Sequence, residues 1–144
     1  FLVVDGFDGD AGSFSLWLDL SSGDGCGDPV PLPIQGDAPI SVVGSTNGFS
    51  SDVQCLGGFG IGPDVAYRAL IEQGDTYLFE VSAGYNSVLQ ARSSCGMPQS
   101  ELACSSPQGT NDSSLSLGLG SGETFIWVDG TNNQSGTYRL RVSH

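Results

Sequence analysis

The alternation of apolar and polar positions predicts a protein built almost entirely of short β-strands. Phe14, Leu16, Leu18 and Leu20 occupy every second position of one run, a period typical of a strand with one buried face. Clusters of Gly, Pro, Asn, Asp and Ser separate such runs, and helical periodicity is nearly absent. The predicted strands cover residues 1–5, 13–20, 39–46, 64–73, 75–83, 87–93, 101–104, 113–120, 123–130 and 136–143.

About nine to eleven short strands without a helix indicate an all-β, jelly-roll-like antiparallel β-sandwich. Its two sheets would bury the alternating apolar faces against each other. We predict three parts: an extra N-terminal hairpin over residues 1–20, a Gly- and Pro-rich linker over 21–33, and the sandwich over 34–144. The last two strands are predicted to form a closing hairpin, with Arg139 and Arg141 facing outward.

The two ends of the chain resemble each other. Residues 1–20 align without a gap with residues 125–144, so that Asp5 falls on Asp129 and Gly12 on Gly136. The loop of the first copy, DGFDGDAG, is much more acidic than its counterpart, DGTNNQSG. The chain therefore begins with a version of its own ending.

Length and charge narrow the class of protein. The chain of 144 residues suits one globular domain with many turns, because it is 38% hydrophobic and has 22 glycines. Sixteen acidic residues against four arginines give a net charge of −12, which disfavours binding to nucleic acid and to anionic membranes. No apolar run approaches the ~18–20 residues that span a bilayer, so we predict no membrane insertion.

The four cysteines predict two disulfides and an oxidising compartment. They are Cys26, Cys55, Cys95 and Cys104, and none forms a CxxC pair. Three pairings are possible. We predict Cys26–Cys55 and Cys95–Cys104, because each of these bridges closes a local loop.

Several short motifs occur in the order and spacing of a known family. They are Pro63-Asp64-Val65 with Tyr67, Gly74 with Tyr77 and Phe79, Asn86-Ser87-Val88-Leu89, Cys95, Leu102-Ala103-Cys104 and Val128-Asp129-Gly130. With these motifs, the chain resembles the bacterial pre-peptidase C-terminal domain, in the repeat form found on secreted and surface proteins. The resemblance implies an extracellular, non-catalytic jelly-roll-like sandwich, appended to secreted peptidases or strung in tandem. Related sandwiches of bacterial collagenases bind calcium and insoluble polymer.

Under this resemblance, residues 1–20 look like the last hairpin of a second domain. An isolated hairpin is marginal in water, so its apolar face requires a partner. The segment could belong to a tandem array, dock on a neighbouring copy, or form an extra edge of its own sandwich. The residues predicted to contact an adjacent repeat or another copy are Phe1, Val3, Phe14, Leu16, Trp17 and Leu18.

The acidic N-terminal loop is a candidate calcium site. Asp5, Asp8 and Asp10 lie among glycines, and Asp24 and Asp28 follow in the next turn-rich stretch. Calcium takes six to eight oxygen ligands from carboxylates, carbonyls and water. The alternative is a hairpin turn with solvated aspartates, which are common in turns for backbone reasons.

Other chemistry is sparse. Asn111 and Asn133 each begin an N-glycosylation sequon in a predicted loop. The only histidine is His144, lysine is absent and the cysteines are predicted to be paired, so we predict that the protein is not an enzyme. A small acidic hydrolase is the disfavoured alternative.

These observations predict a structural and adhesive module of an extracellular bacterial polymer, filament or tandem-repeat surface protein. Copies would join through the N-terminal hairpin, stiffened by calcium, at the cell surface or outside the cell. Partners would be other copies, adjacent repeats, or a polysaccharide or other extracellular polymer. The alternative is a non-catalytic C-terminal accessory domain of a secreted peptidase or hydrolase that binds insoluble polymer.

Overall fold

Nine strands form two facing sheets in the computed structural model, which describes residues 21–34, 36, 38–106 and 109–144. The only helical element in this part of the chain is a 3₁₀ turn at Pro98–Ser100. The strands are β1 Val30–Leu32, β2 Ile40–Ser45, β3 Val65–Ile71, β4 Asp75–Ala83, β5 Ser87–Arg92, β6 Glu101–Ser105, β7 Ser113–Leu119, β8 Gly122–Gly130 and β9 Thr137–Ser143. From residue 39 onward, the predicted strands are confirmed to within about two residues at either end.

The strand order confirms the predicted β-sandwich and is that of a jelly roll. One sheet has the order β1-β3-β8-β5-β6 and the other β2-β9-β4-β7. From β2 to β5 and again from β6 to β9, successive strands lie in opposite sheets, so most connections bridge the two layers. All pairings are antiparallel except that of β1, which runs parallel to β3 with Val30 beside Tyr67.

The predicted closing hairpin is wrong. β8 lies between β3 and β5, whereas β9 lies between β2 and β4 in the other sheet. Their apolar residues, such as Ile126 and Leu140, meet across the core instead of side by side. Alternation identifies the buried face of a strand but does not distinguish these two arrangements. Arg139 and Arg141 do face outward, as predicted.

The predicted linker over residues 21–33 is wrong, because this stretch is part of the sandwich. The Ala66 amide donates to the Gly23 carbonyl at 2.9 Å, and residues 30–32 form β1. Prolines 31 and 33 indicated a linker because proline cannot donate to a sheet ladder. An edge strand tolerates this, and β1 is an edge.

The main core lies between the sheets and includes one polar link. Phe79, Leu89 and Leu140 are fully buried there. Tyr67 of β3 and Tyr138 of β9 bring their hydroxyls within 2.7 Å, and their rings meet edge to face. This hydrogen bond ties the two sheets together inside the apolar core, where buried polar groups need partners. The N-terminal hairpin predicted over residues 1–20 lies outside the described residues.

Gly44 makes room for this tyrosine pair. It lies opposite Tyr138 in the β2–β9 ladder, and an added Cβ would lie 2.5 Å from the Tyr138 hydroxyl oxygen. We therefore expect Gly44→Ala to lower the free energy of unfolding by about 1–3 kcal/mol, measured by chemical denaturation. Gly118→Ala in β7 of the same sheet is the matched control, since its Cβ would meet nothing within 4 Å. Equal stability of the two variants would contradict the assignment.

Candidate functional site

Two segments, residues 21–29 and 46–64, form what we term the cap over the outer face of the five-stranded sheet. Trp127 points away from the main core and is fully buried with Val53, Ala66 and Cys95. Its indole therefore packs beneath the cap. Trp17, predicted to contact an adjacent repeat or another copy, lies outside the described residues.

Two disulfides fasten the cap, and their pairing corrects the predicted one. The bridges are Cys26–Cys95 and Cys55–Cys104, so the expected number was right and the expected partners were wrong. Cys104 lies in the ladder opposite Gln90, while Cys95 lies in the loop beyond β5. Each bridge therefore joins the cap to the β5–β6 hairpin, at its loop for Cys95 and at β6 for Cys104.

Buried carboxylates hold the cap at two further points. The Asp64 side chain accepts from the amides of Asp52 and Val53 at 2.7 and 3.0 Å. The Asp129 side chain accepts from the Gly62 amide at 3.1 Å and from its neighbour Gly130. Both aspartates are almost fully buried. Their function is to satisfy backbone N–H groups that would otherwise be buried without a partner.

Burial also changes how these acids titrate. It raises the pKa of Asp64 to about 6 and that of Asp129 to about 8, against the opposing effect of the amide hydrogen bonds. Asp129 is close-packed, because a side chain on Gly60 would collide with its carboxylate. Sequence reasoning missed both anchors, although each aspartate directly adjoins an apolar strand residue, Val65 or Val128.

A buried arginine completes the underside of the cap. Arg92 of β5 donates to the Gln54 carbonyl at 3.0 Å and to the Cys95 carbonyl at 3.4 Å. Burial lowers the pKa of its guanidinium. Gln90 donates to the same Gln54 carbonyl and to the carboxylate of Glu101. These contacts give hydrogen-bond partners to the two long polar side chains of β5, a strand whose residues are all buried.

Asp24 and Asp28, two of the predicted calcium ligands, accept hydrogen bonds from backbone amides of the cap. Asp24 accepts from the Ser50 amide at 3.0 Å and Asp28 from the Ser22 amide at 2.7 Å. The Ser22 hydrogen bond lowers the pKa of Asp28. Within the residues described, no three His, Cys, Asp or Glu side chains are grouped to hold a metal ion. The other predicted ligands, Asp5, Asp8 and Asp10, lie outside this range, so calcium at their loop stays a prediction.

His144 is anchored at the end of β9. Its Nε2 lies 2.7 Å from the Gly36 carbonyl oxygen, and its ring stacks on Tyr77 with centroids 4.9 Å apart. Nδ1 lies 3.6 Å from the Asp75 carboxylate. These contacts give the only histidine of the chain a structural role, which its place at the last position did not predict.

The outer faces carry polar grooves and scattered apolar side chains. A shallow groove of about 340 Å³ lies on the four-stranded sheet between Glu80, Asp112 and Arg141. Arg141 pairs with Glu80 at 3.4 Å. The large hydrophobic residues exposed in the described part of the chain are Val43, Leu56, Phe59, Ile61, Leu70, Met97 and Leu102.

The two sequons differ in accessibility. Asn111 and Asn133 are both exposed. However, the hydroxyl of Ser113, which completes the first sequon, is buried and lies 2.9 Å from that of Ser87. Glycosylation at either asparagine stays a prediction, and the hydroxyl residue of the Asn133 sequon is the less buried of the two. The described residues contain no helix long and apolar enough to cross a membrane.

Comparison with known proteins identifies the fold. No family model and no curated protein matches the sequence. The structure is similar to the pre-peptidase C-terminal domain of a collagenase from Bacillus anthracis, at 15% identity and a TM-score of 0.55, covering 81% of this chain and 95% of that one. It is also similar to PliG, a periplasmic inhibitor of g-type lysozyme from Aeromonas hydrophila, at 16% identity and a TM-score of 0.54, covering 80% and 94%.

The described chain is thus a jelly-roll β-sandwich with an added parallel edge strand and a disulfide-fastened cap. Its fold is that of the pre-peptidase C-terminal domain, as the resemblance in sequence predicted. The likeness extends to an inhibitor, so the fold alone does not define a function.

The buried Asp129 carboxyl predicts a pH-dependent stability. Its folded pKa of about 8 lies above the usual aspartate value of 3.8. The folded state therefore binds more protons between these values, and its stability falls as the pH rises from about 4 to about 8. We expect Asp129→Asn to abolish much of this fall between about pH 6.5 and 8.5, above the range in which Asp64 titrates. At the upper pH the variant should be at least ~1 kcal/mol more stable than the wild type.

Chemical denaturation at a series of pH values measures this difference. Asp112→Asn, which changes an exposed carboxylate, is the matched control and should retain the slope of the wild type. Parallel pH profiles for the wild type and Asp129→Asn would refute the buried-acid account.

Proposed function

We propose that this protein is a structural and adhesive module of an extracellular polymer or tandem-repeat surface protein. One observation carries the proposal. Residues 1–20 resemble residues 125–144 in sequence, and the latter supply the central strands β8 and β9, one to each sheet. The described sandwich already contains both strands. A second version of them therefore fits the sandwich of another copy better than an extra edge of this one.

The alignment of residues 1–20 with residues 125–144 gives the apolar N-terminal residues a core role in place of the surface contact predicted from sequence. Phe14, Leu16 and Leu18 align with Tyr138, Leu140 and Val142, all of which are buried between the sheets. The first three would accordingly form part of the core of the neighbouring copy. By the same alignment, Trp17 corresponds to the exposed Arg141 and remains available for contact between copies.

The disulfides and the surface charge agree with an extracellular location. Two disulfides belong to an oxidising environment, and an acidic surface keeps a repetitive protein soluble. Many of the described acidic side chains, and the histidine, form hydrogen bonds with the backbone, as Asp64, Asp129 and His144 do. This usage supports a module without catalytic activity.

A second candidate is a C-terminal accessory domain of a secreted peptidase or hydrolase. The likeness in fold to the collagenase domain favours it. In that case the exposed apolar residues of the cap, Leu56, Phe59 and Ile61, would contact an insoluble polymer, either a polysaccharide or a protein.

The coding sequence preceding Phe1 distinguishes the two candidates. The proposed module predicts a further sandwich whose last two strands are residues 1–20, whereas the accessory domain predicts a catalytic domain. Electron microscopy of the native material should show repeated sandwiches in series. Isolated single sandwiches would contradict the proposal.

Calcium at the acidic N-terminal loop is part of the proposal. Asp5 corresponds to the buried anchor Asp129, whereas Asp8 and Asp10 correspond to exposed positions, so the latter two are the better ligands. At about 100 times the dissociation constant, calcium should stabilise the protein by about 2.7 kcal/mol. Thermal unfolding with and without EDTA measures the effect. It should be lost in Asp8→Asn/Asp10→Asn and kept in Asp112→Asn, and an unchanged wild-type melting temperature with EDTA would exclude the site.

A further inference from the structure

The chain enters and leaves the sandwich at opposite ends. Gly23 is bound to Ala66 near the start of β3, beside the end of β8, where Val65 lies opposite Val128. We term this the Gly23 end. β9 starts at the same end, directly after β8, and runs its full length to the other end of the sandwich. There His144 meets Gly36 and Asp75, and we term this the His144 end.

Both termini of the sandwich are held firmly. On one side, the Gly23 amide donates to the Asp28 carbonyl at 2.9 Å, and the Ser22 amide donates to the Asp28 side chain. Cys26, three residues beyond Gly23, is fixed by its disulfide. On the other side, His144 is held through its hydrogen bond to Gly36. Within the described residues, the first and last few residues of the sandwich are therefore held by hydrogen bonds or a disulfide.

The internal repeat sets the spacing between copies. Leu20 is equivalent to His144, so the last strand of a preceding copy would end at Leu20, and Gly23 already belongs to the next sandwich. Three residue steps join these positions and span at most about 11 Å. This distance is too short for a flexible linker between two sandwiches.

We propose, resting on the function proposed above, that consecutive copies stack end to end as a stiff rod. The His144 end of one sandwich would abut the Gly23 end of the next. The partner proposed for each end is therefore the opposite end of a second copy of the same sandwich. The covalent junction keeps the two ends at a high effective concentration, so even a weak contact between them would persist.

Each copy would advance the rod along its strand direction. β4 and β8 have nine residues each, which corresponds to roughly 30 Å at ~3.4 Å per residue. Because the chain enters and leaves at opposite ends, successive copies add their lengths instead of folding back on one another. The polymer would thus be long and narrow.

A two-copy protein tests the proposal. It consists of the full chain of residues 1–144 followed directly by a second copy of residues 21–144, so that His144 precedes Ser21 as the repeat dictates. The matched control carries a flexible Gly-Ser insert of about twelve residues at the same junction. Thermal unfolding establishes that both proteins fold.

Small-angle X-ray scattering and fluorescence anisotropy decay then report shape and stiffness. We expect the direct junction to give a longest dimension roughly twice that of the single chain and to tumble as one body. The control should give a broad range of dimensions and tumble as two bodies. A direct-junction protein that is as flexible as the control, or that folds into a compact side-by-side pair, would overturn the proposal.

These outcomes are separable from those of the proposed function. If the gene encodes no further copy before Phe1, the function in series fails, whatever the shape of the two-copy protein. If further copies exist and the direct junction is flexible, only the stiff rod fails.

Discussion

The structure depends on one constraint, the crossing of the chain from the middle of one sheet to the middle of the other between β8 and β9. Each strand has a partner on both sides, so the buried faces of Ile126, Val128 and Leu140 are supplied by consecutive elements that face each other across the core. Neither sheet is continuous without this pair of strands. For this reason, the resemblance in sequence between residues 1–20 and this pair of strands carries the proposal that copies are joined.

The cap adds a second layer of organisation outside the sandwich. Its residues cover Trp127. Two long-range disulfides and two buried carboxylates hold it on the sheet. Burial of Asp64 and Asp129 has a cost, because an ionised carboxylate loses its hydration there. Their amide hydrogen bonds offset part of this cost, and the raised pKa values link the stability of the fold to pH.

The contacts beneath the cap and at the ends of the sandwich support the proposed structural role. Polar side chains that could serve chemistry, such as Arg92 and His144, are engaged in holding backbone segments in place. The surface is acidic and bears scattered apolar residues, and the two places where the chain enters and leaves are firmly tied. Under the proposed function, such a module would transmit force along its strands while its outer faces remain available to other polymers.

The sequence alone determined the local features, because they depend on local patterns. Alternation placed eight of the nine strands and their buried faces, and cysteine content predicted two disulfides. Tertiary structure decided whatever depends on distant residues meeting. It placed β8 and β9 in opposite sheets, paired Cys26 with Cys95, made an edge strand of a proline-rich stretch, and buried Asp64 and Asp129 beneath the cap. A strand's pattern records which face is buried, but the partner that buries it is chosen by packing between segments far apart in the chain.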